Sequence, residues 1–265
     1  MENKEYLEFA KEIAYEAGKI MLKYFNAKDI STYKGDKTIV TLADKEINTY
    51  LIERVKEKFP THSVDGEEEK FGDSNYVWVC DPVDGTAMYA RHIPVAVFSL
   101  ALVIDGEPKI GVVYDVFTDT LYSAIKGEGA YKNEEKISVN SYELDDIRSV
   151  SNYDMWPESE YNVYEVIKEL GKKTYFISLG SVIRGALCIA AGEFNLGIFP
   201  GTKRKNCDIA AIKVIVEEAG GKVTNLFGEE QRYDKDINGA IISNGIVHEE
   251  VINTIKQTIN LNKPL

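Results

Sequence analysis

The sequence predicts two unlike halves, an α+β half that begins the chain and an α/β half that ends it. Apolar residues at helical spacing come first, and short β-prone runs separated by glycine-containing turns follow them up to about residue 140. From about residue 147, predicted strands and helices alternate. We therefore expect an α+β half with a large antiparallel sheet in residues 1–143, a smaller α/β half in residues 144–265, and the functional site in the crevice between them.

In the first half, two amphipathic helices precede the sheet. The first covers about residues 4–25, and the second starts at the capping-box pattern Thr41-Leu42-Ala43-Asp44 and stops at Pro60. The predicted strands are 77–80, 95–104, 110–116 and 120–125, and more turns of an antiparallel meander follow over residues 127–136.

The second half alternates between the two kinds of element. Its predicted strands are 147–151, 174–178, 194–199, 222–224 and 240–243, and its predicted helices are 158–170, 182–191, 209–219 and 248–259. Gly220-Gly221 marks the end of the third of these helices.

Composition and charge exclude several classes of protein. The chain has 265 residues, 44% of them hydrophobic, which is enough for a sizeable core. Its formal charge of −12 disfavours nucleic acid and anionic membranes as partners. No apolar run approaches the roughly 20 residues that span a bilayer, and the N-terminus lacks the pattern of a secretory signal. We therefore expect a cytoplasmic protein.

Cysteine and histidine spacing bears on the kind of metal site. The three cysteines include no Cys-x-x-Cys pair, which argues against a disulfide framework. The three histidines are too far apart in sequence for a local zinc motif. We therefore expect any metal site to be built from oxygen ligands, which favours Mg²⁺, Mn²⁺ or Ca²⁺.

The most informative stretch is Val77-Trp78-Val79-Cys80-Asp81-Pro82-Val83-Asp84-Gly85-Thr86. A buried strand that ends in two acids is costly unless the acids are paired or bind a metal. Pro82 restricts the backbone around Asp81, and Gly85 allows a ligand to approach the following amides closely. Acids that attract cations beside amides that attract anions suggest a metal–phosphate pair. An Asx-type turn, in which the acids only accept local amide hydrogen bonds, is the alternative.

Two further acidic segments are ambiguous by themselves. Asp65-Gly66-Glu67-Glu68-Glu69 has the composition of a solvated loop, but Gly66 makes a turn that could bring Glu67 towards Asp81. Asp208 directly precedes the predicted helix 209–219, where an N-cap is a common role for Asp. A helix N-terminus is also a favourable place for phosphate.

Together, these segments resemble the inositol monophosphatase family of metal-dependent phosphatases. The family shows Gly-Glu-Glu, then a strand into Asp-Pro-[Ile/Leu/Val]-Asp-Gly-Thr, then an Asp that opens a helix closing in Glu-Ala-Gly-Gly. All three motifs are present in order, and the resemblance covers nearly the whole chain. It implies the layered αβαβα sugar-phosphatase fold, a homodimer, and two or three Mg²⁺ ions, with Mn²⁺ as an alternative.

The resemblance also assigns roles to individual residues. The metal ligands that it implies are Glu67, Asp81, the carbonyl of Val83, Asp84 and Asp208. The amides of Gly85, Thr86 and Ala87 are expected to bind the phosphate. Asp44, Glu67 and Thr86 are the expected catalytic residues: Thr86 and Asp44 orient the attacking water, and Glu67 acts through the metal that it binds. Asp44 also has a purely local explanation, as part of the cap of its helix, and the two roles are compatible.

Departures from the family pattern bear on the substrate. The family motif continues Gly-Thr-x-Asn, but Met88 stands at the Asn position here, and Cys207 replaces the usual Trp before the third-motif Asp. Inositol-specific members carry an acid several positions before that Asp, whereas this chain has the basic residues Lys203, Arg204 and Lys205. These bases either bind a second anionic group of the substrate or belong to an exposed loop.

We therefore expect a Mg²⁺-dependent phosphomonoesterase that hydrolyses a small polyol or sugar phosphate of the inositol 1-phosphate type. Fructose 1,6-bisphosphatase or dual specificity is the alternative within the same class, and histidinol phosphate and phosphoadenosine nucleotides also stay open as substrates. A catalytically silent scaffold that binds metal or phosphate is the alternative from a different class. The intact set of acids argues against it.

Overall fold

A computed structural model describes residues 2–27, 31–33, 39–155, 159, 161–201 and 206–258. The helices are α1 (Glu2–Phe25), α2 (Leu42–Lys58), α3 (Thr86–Tyr89), α4 (Tyr164–Leu170), α5 (Val182–Ala190), α6 (Asn206–Glu218) and α7 (His248–Thr258). The strands of the first half are β1 (Ser31–Tyr33), β2 (Ile39–Thr41), β3 (Ser63–Gly66), β4 (Lys70–Phe71), β5 (Tyr76–Asp84), β6 (Val97–Ile104), β7 (Glu107–Asp115), β8 (Thr120–Ile125), β9 (Gly129–Lys132) and β10 (Glu135–Lys136). Those of the second half are β11 (Val150–Tyr153), β12 (Tyr175–Ile177), β13 (Leu196–Phe199), β14 (Lys222–Thr224) and β15 (Ala240–Ser243).

The larger sheet has eight strands in the order β10-β9-β8-β7-β6-β5-β3-β4. Neighbouring strands are antiparallel except β3 and β5, which run parallel. The parallel pairing places Gly66 beside Cys80, so the segment that carries Glu67 leaves the sheet next to the acidic end of β5. This topology brings two of the sequence motifs to the same edge.

One face of this sheet is covered by α1 and α2. Their apolar stripes, which include Phe9 of α1 and Leu51 of α2, pack with Trp78 and Leu100 in a single buried cluster. The other face is covered by α5 and α6. These helices pack on every second residue of the same strands, for example Val79. Successive strand residues point to opposite faces, so both faces of β5 must be apolar.

The smaller sheet has five strands in the order β12-β11-β13-β15-β14. Its inner face packs on α5 and α6 through residues such as Val223 and Ile242. Its outer face is covered by α4 and α7, with Leu170 and Ile255 in the buried cluster. The result is the layered αβαβα fold that the sequence predicts.

Helix α6 is the shared layer between the two sheets. It contacts β5 to β9 on one side and β14 and β15 on the other. A Cβ atom added to Gly111 of β7 would lie 2.4 Å from the Ala211 carbonyl oxygen, so helix and strand meet at the closest approach that glycine permits. Lys213 is buried in this layer, and its Nζ donates to the Val223 carbonyl oxygen (2.9 Å) and pairs with Glu217 and Glu230.

Most predicted elements are confirmed within a few residues, and the differences are informative. Residues 63–66 form strand β3, so the first part of the acidic segment is not a loop. The predicted strand 147–151 lies later, at Val150–Tyr153, and the helix predicted from residue 158 is α4, Tyr164–Leu170. The predicted turns over 127–136 include a short hairpin of β9 and β10.

The start of α6 corrects the prediction most relevant to function. The helix begins at Asn206 rather than at residue 209, so Asp208 lies inside the first turn and does not precede the helix as an N-cap. The two sheets are built from separate stretches of chain, residues 63–136 and 150–243. The division into domains at residues 143/144 stays a prediction, since α6 packs on both sheets.

Within the described residues, no helix is both long enough and apolar enough to cross a membrane.

Candidate active site

The end of β5 holds two of the predicted metal ligands in a buried turn. Asp81 is 2% exposed and Asp84 is 7% exposed. The pairing of β5 with β6 shifts register between these residues, which bends the backbone out of the regular ladder. Oδ1 of Asp81 accepts a hydrogen bond from the Val83 amide (3.0 Å), as the alternative of an Asx-type turn predicts. That local bond involves one carboxylate oxygen of Asp81.

Asp84 connects this turn to the start of α5. Its Oδ2 accepts hydrogen bonds from the Ser181 hydroxyl and from the Ile183 amide (2.8 Å). Ser181 is the N-cap of α5, and its Oγ also accepts from the Arg184 amide (3.0 Å). An acid at a helix N-terminus is stabilised by the unpaired amides there. The Asp84 carboxylate is thus fixed by a segment about 100 residues further along the chain.

Gly85 and α3 form the anion side of the turn. Gly85 has φ +91°, in the left-handed region that favours glycine, and it is the N-cap of α3. The first amides of a helix have no carbonyl oxygen within the helix to bind, so the turn presents donors in the region of Thr86 and Ala87. The Thr86 hydroxyl donates to the Val83 carbonyl oxygen (2.8 Å), the oxygen that the family resemblance assigns to a metal.

Asp81 meets the first turn of α6 in a cluster that we call the ligand group, which consists of Asp81, Cys207 and Asp208. One potential ligand atom of each residue lies within 4.8 Å of the others, and all three side chains are buried. Two carboxylates at this separation suit a divalent cation, because the bound charge offsets their repulsion. The two carboxylates therefore fit the metal that the sequence predicts. The sulfur atom of Cys207 departs from the expected all-oxygen site.

Glu67 and Asp84 lie outside the ligand group. The Glu67 amide donates to the Cys80 carbonyl oxygen (3.1 Å), which holds its segment beside β5, and the side chain is half-buried. Asn48 of α2 supports this segment, because its Oδ1 accepts from the amides of Glu68 and Glu69 (3.3 Å each). The structure thus brings Glu67 to the same edge as Asp81, and its role as a metal ligand stays a prediction.

Asp44 has the capping role that its sequence pattern predicts. Its Oδ2 accepts from the Thr41 amide (2.7 Å) and the Thr41 hydroxyl (2.5 Å), and both halves of the capping box are present. Burial, together with the negative charges of Glu67 and Glu68, raises the pKa of Asp44 to about 7. Those charges place Asp44 near the acidic segment, which is compatible with the predicted role in orienting water.

The sequence analysis did not single out three residues that position the site, and it noted Cys207 only as a departure from the family pattern; the three are Asn48, Ser181 and Asn206. Asn206 donates from Nδ2 to Oδ2 of Asp65 (2.9 Å) and so links α6 to β3. A serine before an apolar helical run is an N-cap signal that could have singled out Ser181. Nothing in the local sequence indicates the other long-range contacts. Lys203, Arg204 and Lys205 lie outside the described residues.

The fold and the clustered acids define a class, the metal-dependent phosphatases with layered αβαβα architecture. Comparison with known proteins gives the family. The profile of the inositol monophosphatase family matches residues 2–260, and the chain belongs to that family. It is accordingly an enzyme that hydrolyses phosphate monoesters.

Curated relatives and solved structures agree with this assignment. The chain is 32% identical to the fructose-1,6-bisphosphatase/inositol-1-monophosphatase of Thermotoga maritima, with 96% of each chain covered. It is 30% identical to the inositol-1-monophosphatase of Bacillus subtilis, over 92% of this chain and 94% of the relative. The structure of inositol monophosphatase from Anabaena matches with a TM-score of 0.85 at 27% identity, covering 99% of both chains.

Proposed function

We propose that this protein is a Mg²⁺-dependent phosphomonoesterase that acts on a small polyol or sugar phosphate of the inositol 1-phosphate type. The observation that carries the proposal is the meeting of Asp81 and Asp208, from distant parts of the chain, within ligand distance of one cation. This pair lies at the end of β5, and the α3 amides that suit a phosphate follow directly along the chain. Cation ligands and anion donors side by side match a metal–phosphate substrate complex.

When bound, divalent cations supply Lewis acidity, which activates water and neutralises the charge of the phosphoryl group. The protein's part is to hold the reacting groups in place. Asp81, Asp84, Asp208, Glu67 and the Val83 carbonyl oxygen are the proposed ligands.

The proposed phosphate donors are the amides of Gly85, Thr86 and Ala87. The Thr86 hydroxyl and Asp44 orient the attacking water in this scheme. The Asp44 carboxylate is held for this role by the hydrogen bonds that its Oδ2 accepts from the Thr41 amide and hydroxyl. The chemistry requires no covalent phosphoenzyme.

A second candidate substrate is fructose 1,6-bisphosphate. Two relatives, from Thermotoga maritima and Aquifex aeolicus, carry the name fructose-1,6-bisphosphatase/inositol-1-monophosphatase, and both are covered over 96% or more of their length. The basic segment Lys203–Lys205 would bind the second phosphate through charge. Dual specificity follows if both substrates are hydrolysed at comparable kcat/KM.

Arg204→Ala distinguishes these substrates. We expect the variant to lose kcat/KM for fructose 1,6-bisphosphate by about ten- to a hundredfold and to keep that for inositol 1-phosphate, because one charge-assisted contact contributes about 1.5–3 kcal/mol. Equal losses for both substrates would exclude a second phosphate site at this residue. Two or three bound Mg²⁺ ions (or Mn²⁺), a homodimer and a cytoplasmic location are further parts of the proposal that rest on the family resemblance.

The decisive test is phosphate release from a panel of phosphorylated metabolites, measured with Mg²⁺ and with a chelator. Inositol 1-phosphate, fructose 1,6-bisphosphate, histidinol phosphate and a 3'-phosphoadenosine nucleotide form the minimal panel. We expect hydrolysis of at least one sugar or polyol phosphate, abolished by the chelator and restored by added Mg²⁺. Activity that survives chelation would contradict the proposed mechanism, and binding without turnover would favour a silent scaffold.

A further inference from the structure

The thiol of Cys207 belongs to the cation site by position. Its Sγ lies 3.3 Å from Oδ1 of Asp208, and it shares the 4.8 Å cluster with Asp81. The side chain is 4% exposed and packs in the apolar cluster that α5 and α6 form with the larger sheet. Helix α6 fixes it there, because residues 206–218 form one continuous helix.

The other two cysteines lie in different parts of the fold. Cys80 precedes Asp81 but points to the opposite face of β5, where it packs with Phe9 and Trp78 under α1 and α2. Cys188 lies on α5 and is only partly buried. Among the residues that the structure describes, Cys207 is the cysteine that shares a ligand-sized cluster with two acids.

Sulfur changes which cations a site prefers. Mg²⁺ takes oxygen ligands almost exclusively, whereas Zn²⁺ and softer ions bind thiolate strongly. A site of two carboxylates and one sulfur can therefore bind Mg²⁺ through its oxygen atoms and a thiophilic ion through oxygen and sulfur. Binding through sulfur forms a bond between Sγ and the cation, and the thiol proton passes to solvent.

We propose that Cys207 is a sulfur ligand of the cation site, so that thiophilic divalent ions such as Cd²⁺ and Zn²⁺ bind there in competition with Mg²⁺. This inference rests on the proposed function, since it assumes that the ligand group holds the catalytic cation. Its consequence is inhibition of the Mg²⁺ enzyme by low concentrations of thiophilic ions. Both Asp81 and Asp208 would be shared between the competing ions.

The test is a Cd²⁺ titration of the intact protein, read by the ultraviolet charge-transfer absorption of a sulfur–cadmium bond. Three chains are compared: wild type, Cys207→Ser, and the double variant Cys80→Ala/Cys188→Ala, which keeps only Cys207. We expect the band in wild type and in the double variant at one Cd²⁺ per chain, and its loss in Cys207→Ser. The Cd²⁺ affinity should fall at least about tenfold in Cys207→Ser.

Competition and folding controls complete the design. Added Mg²⁺ should displace Cd²⁺ and remove the band, because both ions need the Asp81 and Asp208 carboxylates. Circular dichroism checks that Cys207→Ser is folded. If Cys207→Ser fails to fold, Cys207→Ala serves in its place, since alanine adds no buried hydroxyl.

Two results would overturn the inference: a band that persists in Cys207→Ser, or a band that Mg²⁺ does not affect. Either places the cadmium on another thiol or away from the catalytic cation. Failure of the proposed function is distinguishable, because it would appear as absence of Mg²⁺-dependent phosphate release in wild type without any Cd²⁺. Absence of a band together with normal Mg²⁺-dependent turnover would refute the sulfur ligand alone.

Discussion

The acids of the crevice and the polar side chains beside α7 are both buried, but they differ in charge and in partners. We call Asp81, Asp84 and Asp208 the crevice acids; they are 2%, 7% and 4% exposed. We call Thr224, Ser243 and His248 the α7 cluster; they are 1%, 0% and 0% exposed. The first group concentrates negative charge at one place, and the second group is uncharged when His248 is neutral.

The hydrogen bonds of the α7 cluster close within the protein. The Thr224 hydroxyl donates to the Asn225 carbonyl oxygen (2.9 Å), so Nε2 of His248 donates to Thr224 (2.9 Å). Nδ1 of His248 then accepts from the Ser243 hydroxyl (2.8 Å), which itself accepts from the Gly245 amide (3.1 Å). This assignment of protons satisfies a neutral imidazole. The cluster is complete without a ligand.

Polar groups are buried for two different reasons in this molecule. A self-satisfied cluster contributes to stability and specificity of the core. A concentrated set of acids is stable only with compensating positive charge.

Asp84→Asn is expected to lower kcat by about a thousandfold, which corresponds to about 4 kcal/mol of transition-state stabilisation. The amide oxygen of Asn can still accept from Ser181 and Ile183, so the fold should persist. Steady-state hydrolysis and circular dichroism measure the two effects. Ser243→Ala is the matched control from the α7 cluster, and it should keep full kcat. Equal losses in both variants would remove the distinction between the groups.

Mg²⁺ is expected to raise the melting temperature of the wild-type protein by about 5–10 °C. At a concentration of about 100 times Kd, a ligand adds about 2.7 kcal/mol to stability, which corresponds to a shift of that size for a chain of this length. Asp208→Asn should remove most of the shift, whereas Ser243→Ala should retain it in full. A shift that is unchanged by Asp208→Asn would place the Mg²⁺ elsewhere.

His248 is expected to make folding sensitive to mild acid. Burial lowers the pKa of His248 to about 4, below its ordinary value of 6.5, so the folded protein binds this proton less readily than the unfolded chain. Its contribution to stability is complete above about pH 6.5 and is lost as the pH falls towards 4. The loss from pH 7 to pH 5 is about 2 kcal/mol.

Urea unfolding at pH 7 and pH 5 measures that loss. His248→Gln removes the titrating group, so the variant should lose about 2 kcal/mol less than wild type over the same pH range. An identical pH dependence in the two proteins would show that His248 does not carry the effect.

Thr41→Ala is expected to destabilise the protein by about 1 kcal/mol, since it removes the hydroxyl of the α2 capping box. Thr41→Ser keeps the hydroxyl and should cost only a few tenths of that. Chemical denaturation with Mg²⁺ absent measures the cap by itself. A loss of several kcal/mol would instead mean that the Thr41–Asp44 pair is part of the charged crevice and not a local cap.

The elements and the local features of the site follow from sequence patterns. The spacing of apolar residues locates the major helices and strands, and the Thr41–Asp44 pair identifies the start of α2, because each of these features depends on near neighbours in the chain. The family motifs likewise point to the turn at Asp81–Thr86. These predictions needed no knowledge of tertiary contacts.

Contacts between distant segments could not be predicted in the same way. The bond from Ser181 to Asp84 and the bond from Asn206 to Asp65 depend on how α5 and α6 pack on the larger sheet. The early start of α6 was missed because Lys205-Asn206-Cys207 lacks apolar periodicity, while burial between two sheets supplies the stability of that turn. The Cys207 sulfur was not predicted as a ligand atom, because its approach to Asp81 depends on how α6 packs against β5.

The placement of α6 between two sheets has a consequence for how such an enzyme could change its substrate. Asp208 lies on α6, which is packed in the interior of the protein. There Gly111 of β7 is in close contact with the Ala211 backbone. In the proposed site, the position of Asp208 therefore depends on core packing and not on exposed segments. Substrate recognition by exposed segments and catalysis by the buried acids can therefore change independently.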